Sequence, residues 1–572
     1  MQERVIELED VTFTYPDGTV ALKNISFFVN KGEVVAVVGE NGAGKTTLCY
    51  LLSGVIPHIY GGTIKGKVSV AGVQPKDLPM RELSRKVSIV LQDPDSQIFS
   101  PTVFMEAAFG PSNLGLSKEE VVERVKWALE VTGLSGLENR SPDELSGGQK
   151  QRLVLASVLA MRSEVLVLDE PTSQLDPVGV REVMGTLRDL KEKGATMLVT
   201  THQTEEIADI ADKVIVLKEG KILSIGSPKE VFSNVDLMEQ AGVKAPDVSI
   251  LVEKLRREKG LAFEGNAPIN EYEAKELLLR FISTGKIKIA GSIELEPKRI
   301  ESAIIEVRDV YYEYPGGVKA LDGVSLEVGE GDFLGVIGMN GSGKSTLVKT
   351  MIGLLKPQRG KVLFRGEDVS KFTVGELARR IGLILQNPDY QLFTISALEE
   401  VMFGLRNIGM RGEEAKKRAI EILKLVGLED KADYFPFKLS FGERRLLAAA
   451  ATLALDPEVV ILDEPTTAQD YRGRYLLADL AKELHKRGKT IIMITHDMDL
   501  IAKYANRVIV MADGRIILDD DPHIVFNKIS ELRRAGIMPP QVTRLAILMR
   551  EAGVPSEVVE VEELLDLVEV VA

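Results

Sequence analysis

The sequence predicts an α/β fold built twice in tandem, each half arranged around a parallel sheet buried on both faces. Three observations carry this expectation. Short apolar runs rich in β-branched residues, Val34 to Val38 and Val165 to Leu168, read as strands without a polar face. A glycine-rich stretch, Gly39 to Gly44, separates the first run from a helical pattern over Lys45 to Leu52, so a strand passes through a tight loop into a helix. The arrangement also recurs: FTYPDGTVAL at Phe13 to Leu22 is echoed by YEYPGGVKAL at Tyr312 to Leu321, 299 positions further on.

Followed along the chain, the repeat keeps its order. GENGAGKT at Gly39 to Thr46 returns as GMNGSGKS at Gly338 to Ser345 with the same offset of 299. From Lys67 onward the offset is 294, and it holds for Gln92 with Gln386, Ser146 with Ser440, Glu170 with Glu464 and His202 with His496. The first half therefore carries five extra residues around Pro57 to Gly66, PHIYGGTIKG. A helical insert is expected between Thr102 and Asn139, and a helix over Gln149 to Met161. The tails repeat too, AGVKAPDV at Ala241 to Val248 and AGIMPPQV at Ala535 to Val542, each followed by a leucine-rich helical stretch. Between the halves, Gly260 to Ser302 reads as a helix over Glu271 to Phe281 and then a linker. From Ala241 to Ser302 there are 11 basic and 10 acidic residues, a neutral connector without a basic arm for RNA. The expected divisions are a first domain over 1–240, its extension and linker over 241–302, a second domain over 303–534 and its extension over 535–572.

Composition narrows the class. The 572 residues, 45% apolar and 27% charged, suit a globular chain of several domains and exclude collagenous, disordered and disulfide-scaffold proteins. The single cysteine, Cys49, excludes internal disulfides, CxxC zinc sites and iron–sulfur clusters, and fits a reducing compartment. The longest uncharged apolar run, Leu446 to Leu455, is about half of what a spanning helix needs. Met1 to Asp10 is charged and strand-like rather than a secretory signal. The expectation is a soluble intracellular chain that reaches a membrane only through a partner. A net charge of -14 argues against a nucleic-acid surface.

The motifs specify phosphate chemistry. Gly39-x4-Gly44-Lys45-Thr46 and Gly338-x4-Gly343-Lys344-Ser345 match the P-loop. Its glycines let backbone N–H groups wrap a phosphate at a helix N-terminus, its lysine adds a point charge, and its hydroxyl suits Mg²⁺. VLVLDEP and VVILDEP end apolar strands in acid pairs. Asp169 and Asp463 suit a Mg²⁺ shell, and Glu170 and Glu464 suit polarising an attacking water. A strand-end carboxylate is by itself commonly structural; the P-loops upstream decide for the functional reading. Among only five histidines, His202 and His496 stand at equivalent strand ends, which favours a γ-phosphate contact.

LSGGQ at Leu145 to Gln149, lying between P-loop and acid pair, resembles the signature of ATP-binding cassette (ABC) ATPases; the second copy, LSFGE at Leu439 to Glu443, departs from it at Phe441 and Glu443. Taken alone, LSGGQ would only mark a helix start with Ser146 as N-cap. The resemblance implies two tandem P-loop NTPase nucleotide-binding domains of ABC type, each with a helical subdomain and an N-terminal β subdomain, that hydrolyse ATP with Mg²⁺. It places ATP against Gly39, Asn41, Gly42, Gly44, Lys45, Thr46 and Thr47, and against Gly338, Asn340, Gly341, Gly343, Lys344, Ser345 and Thr346. Gln92 and Gln386 are similar to the glutamines that approach Mg²⁺ and the attacking water, and Tyr15 and Tyr314 to the aromatic that stacks on adenine. Each site would join one P-loop to the other domain's signature, Ser440 and Gly442 for the first and Ser146 and Gly148 for the second, so the chain could close the pair internally. Phe441 and the negative charge of Glu443 predict a weaker first site.

A narrower resemblance rests on QDPDSQIFSPTVFMEAAFGPSNLGL from Gln92 to Leu116 and QNPDYQLFTISALEEVMFGLRNIGM from Gln386 to Met410. Both resemble the ATPases of energy-coupling factor (ECF) importers for cobalt, nickel and vitamins. That implies a multi-spanning membrane scaffold and a small substrate-binding membrane protein as partners, with the chain peripheral on the cytoplasmic face. A twin-cassette translation factor would want a basic connector or iron–sulfur cysteines, and a sugar-importer ATPase leaves the PDxQxF segments and repeated tails unexplained.

Overall fold

The computed structural model describes residues 3–173, 175–293, 295, 302–466 and 471–571, the side chain of Arg472 excepted. The last part of the expected linker, 296–301, lies outside them. The chain divides into two units, residues 1–288 with 569–572, and residues 289–568.

In the first unit a six-stranded sheet has the order Val87–Val90, Val165–Asp169, Thr196–Thr200, Val34–Val38, Lys213–Lys218, Lys221–Gly226, parallel except for its last strand. Val34, Ala36 and Val38 enter one apolar core while Val35 and Val37 enter another, which is why the run has no polar positions. The first core is roofed by helices Val103–Asn113, Lys118–Val131 and Gly147–Ala160. Their N-caps are Thr102, Ser117 and Ser146, whose hydroxyls accept from Met105, Glu120 and Gln149 backbone N–H. The second core lies under an antiparallel sheet of Val20–Asn30, Arg4–Thr14 and Thr63–Val70. The five extra residues fall before that third strand, where exposed Tyr60 stacks on Tyr50 of the P-loop helix at 5.5 Å.

The second unit repeats the plan, its sheet ordered Ile381–Ile384, Val459–Asp463, Thr490–Ile494, Phe333–Gly338, Arg507–Ala512, Arg515–Asp520. Helices Ala397–Asn407, Gly412–Leu425 and Phe441–Leu453 roof it. Among the described residues no helix is long and apolar enough to cross a membrane.

Each tail folds back onto its own unit, burying Ala241, Val243 and Ala245 in the first and Ala535 and Ile537 in the second. The expected helices follow, Asp247–Lys259 and Glu271–Ser283 in one and Gln541–Leu548 in the other. A repeated ion pair fastens them. Lys229 meets Glu273 at 3.2 Å, and 294 residues later His523 meets Glu563 at 2.7 Å, with Asp521 on its other nitrogen at 2.6 Å. Burial pulls His523 down, but hydrogen bonds and charge from Asp521 and Glu563 outweigh it and carry the imidazole up to about 9. A pKa raised on folding adds stability that is complete below the ordinary 6.5 and lost as pH rises through about 9. Calorimetry should therefore show the second unit's transition falling by several degrees across that window, and His523→Lys should flatten the decline. Residues 569–571 group with the first unit, Val571 N–H donating to Lys286 O at 2.8 Å.

Candidate active site

Each P-loop leaves the carboxyl end of the central strand and opens a helix, Lys45–Ser53 or Lys344–Met351, that no side chain caps. That is the anion-binding end of the helix dipole. At both ends of the loop only glycine fits. A Cβ on Gly39 would meet Leu217 O at 2.3 Å and one on Gly338 would meet Met511 O at 2.4 Å. Gly44 and Gly343 both hold φ 104, and Gly42 and Gly341 hold φ 78 and 80. Lys45 Nζ donates to Gly39 O at 2.8 Å and Glu40 O at 3.1 Å, and Lys344 Nζ to Gly338 O at 2.8 Å and Met339 O at 2.9 Å. Both ammonium groups are thus fixed across the mouth of the loop, with the exposed residues Thr46 and Ser345 beside them.

The acid pair and histidine converge on the first loop. Glu170 Oε1 lies 2.6 Å from His202 Nε2 and 3.4 Å from Lys45 Nζ. Burial pushes Glu170 up, but His202 and Lys45 outweigh it and hold the carboxyl below its usual range. In the second unit His496 Nε2 lies 3.0 Å from both Glu464 Oε1 and Asn340 Oδ1. Glu170 and Glu464 each hold φ 49, a left-handed backbone rarely adopted by a side chain of this size.

Asp169 is buried, and burial raises its carboxyl against hydrogen bonds from Thr200, at 2.6 Å, and Thr46. At the position equivalent to Thr200 the second unit has Ile494, which offers no hydrogen bond. There burial and the neighbouring Glu464 push Asp463 up to about 6. Thr200 was not singled out from the sequence, although it lies in the strand that leads to His202. A glycine cradle with no room for a Cβ at Gly39, Gly44, Gly338 or Gly343, with hydroxyl and carboxylate oxygens beside it, fits a nucleotide phosphate with Mg²⁺: Thr46 and Asp169, or Ser345 and Asp463, would hold the ion, which would neutralise phosphate charge.

The remaining predicted residues fall at the margins. Gln92 is half-buried and Gln386 exposed. Tyr15 and Tyr314 donate to or accept from Thr47 and Thr346 hydroxyls at 3.0 and 3.2 Å, and each is packed edge-on against a strand neighbour, Phe13 or Tyr312. Ser146 and Ser440 are N-caps in capping boxes with Gln149 and Glu443. This corrects the reading of Glu443: its carboxylate accepts from Ser440 N–H at 2.9 Å and pairs with Lys431, so it is not a bare charge facing a ligand.

The PDxQxF loops are also only partly outward-facing. Gln97 accepts from Leu91 N–H at 2.6 Å and donates to Ile89 O, Gln391 does the same with Leu385 and Leu383, and Asp95 and Asp389 pair with Lys150 and Arg444 of the signature helices. Buried Glu106 and Glu400, overlooked in the sequence despite their shared offset of 294, accept the N–H groups of Phe99 and Ser100, and of Phe393 and Thr394. What faces solvent is a T-shaped aromatic pair, Phe99 with Phe109 at 4.6 Å and Phe393 with Phe403 at 4.8 Å.

A phosphate cradle at the switch point of a parallel sheet, backed by a buried acid pair, defines a P-loop nucleotide hydrolase. The ABC transporter family model matches residues 22–173 and 321–467. A protein of Caldanaerobacter subterraneus subsp. tengcongensis is 40% identical over 554 residues, 96% of each chain, and one of Methanosarcina acetivorans 37% identical over 568, covering 96% of this chain and 91% of that one. Both are named, provisionally, ABC transporter ATP-binding proteins. Among solved structures, cbiO1 from Clostridium perfringens, part of the ABC transporter complex cbiONQ, is 36% identical with a TM-score of 0.39, covering 44% of this chain and 100% of that one. The chain belongs to the ABC transporter family, as two tandem ATP-binding domains, and is an ATPase that uses ATP with Mg²⁺.

Proposed function

We propose that this ATPase energises an ECF-type importer, coupling ATP hydrolysis to a multi-spanning membrane scaffold and a small substrate-binding membrane protein from the cytoplasmic face. In each site Glu170 or Glu464 orients the attacking water, His202 or His496 holds that glutamate and meets the γ-phosphate, and Gln92 or Gln386 approaches Mg²⁺ and the attacking water. Tyr15 and Tyr314 are the adenine platforms. The observation that carries the importer reading is the pair of matching aromatic patches. Phe99 is 65% and Phe393 63% exposed, each on a loop braced from within by a buried glutamate and a glutamine. Apolar rings held rigidly in water, twice at one repeat offset, suit docking to apolar partner segments.

The test is co-purification with a co-expressed membrane scaffold encoded by a neighbouring gene. Phe99→Asp with Phe393→Asp is expected to lose the complex, at least about tenfold in recovery, while basal ATP hydrolysis stays within about twofold. An intact complex with lost hydrolysis would place these loops in the ATPase machinery instead.

A further inference from the structure

The two signature helices differ at one buried position. The second unit has Arg445 where, 294 residues earlier, the first has Gln151, and both side chains are 3% exposed. Arg445 Nη1 donates to Pro465 O at 2.5 Å and Nη2 to Gln386 O at 2.9 Å, while its guanidinium carbon lies 5.0 Å from the Phe441 ring centre. One planar fork thereby joins three segments: the signature helix, the loop carrying Gln386, and the turn immediately after Glu464. In the first unit the Gln151 amide nitrogen has no hydrogen-bond partner among the described residues. Burial pulls the Arg445 guanidinium down to about 10 against the charge of nearby Glu464, so it remains a cation at neutral pH. A buried cation is costly unless its donors are used, and here two of them are spent on the two segments that flank the water-activating side chains.

We propose that Arg445 is a positioning residue of the second site, bracing the Gln386 and Pro465 carbonyls against the signature helix so that the Gln386 and Glu464 side chains approach the attacking water in one geometry. Among the described residues Gln151 makes no such brace in the first site. The inference rests on the reading of Gln386 and Glu464 as residues that act on that water.

The test is a double-mutant cycle in the full chain, with Arg445→Gln, Gln386→Ala and both, read by steady-state ATP hydrolysis. Arg445→Gln is expected to lower kcat about tenfold with KM for ATP within about twofold, as misplacement of reacting groups does. In the Gln386→Ala background the same change should cost less than about twofold, because the group being positioned is gone. Equal losses in both backgrounds, or a change confined to KM, overturn the proposal while leaving the reading of Gln386 in place. If Gln386→Ala alone leaves kcat unchanged, that reading fails and the brace with it. Should Arg445→Gln not fold, Arg445→Lys keeps the charge without the fork; folded and assayed, it should lose at least about fivefold in kcat, and a wild-type kcat would overturn the brace.

Discussion

Glu170→Gln combined with Glu464→Gln is expected to leave MgATP binding intact and to lower turnover by about a thousandfold, roughly 4 kcal/mol of barrier. The amide keeps the volume of each carboxylate in its buried place. What disappears is the charge proposed to orient water. The same charge is paired in the first site with Lys45 at 3.4 Å, so its removal releases the ammonium for phosphate, and nucleotide affinity should rise slightly rather than fall. Fluorescent-nucleotide titration and phosphate release on the double variant check both halves of the expectation. Hydrolysis near the wild-type rate would remove these glutamates from the mechanism.

Gly148→Val should be far more damaging than Gly147→Phe, although both change the signature. A Cβ on Gly148 would stand 3.1 Å from Gly179 Cα, and one on Gly179 would stand 3.4 Å from Gly148 Cα. The helices Gly147–Ala160 and Pro177–Glu192 therefore meet through bare backbone. Forcing a branched side chain between them should cost about 1–3 kcal/mol and lower ATP hydrolysis at least tenfold. A Cβ on Gly147 meets nothing within 4 Å, so phenylalanine has room there, as Phe441 does at the equivalent place in the second unit. Gly147→Phe should fold normally and keep hydrolysis within about threefold. Urea unfolding with parallel ATPase assays separates the two, and a more stable Gly148→Val than Gly147→Phe would contradict the packing argument.

The parts of the site that phosphate chemistry fixes were legible in the sequence. A cradle of backbone N–H groups demands glycine at set intervals, and hydrolysis demands a carboxylate at the end of a particular strand. The duplication then states each requirement twice. The strands were legible because burial on both faces removes every polar position from Val34 to Val38 and Val165 to Leu168. What escaped is whatever depends on the partner a side chain finds after folding. Glu443 reads as a bare negative charge that weakens the first site, and in the structure it is a helix cap paired with Lys431. Gln97, one of the PDxQxF residues, shows nothing in the sequence of its ties to Leu91 and Ile89. Thr200 and Ile494, or Gln151 and Arg445, look like ordinary drift between repeats until the groups facing them are known. The grouping of residues 569–571 with the first unit has no local signature at all, since three residues carry no period to read.

The left-handed backbone of Glu170 and Glu464 has an evolutionary corollary. At that dihedral angle glycine or asparagine is the thermodynamic preference, and a long acidic side chain costs about 1–3 kcal/mol. Selection for heat resistance alone would push both positions toward glycine, gaining robustness and discarding turnover in one substitution. Relatives that lost hydrolysis at one of two duplicated sites would be freed from that burden. Their fingerprint would be a small residue at one strand end and a retained glutamate at the other, readable in a gene before any enzyme is assayed.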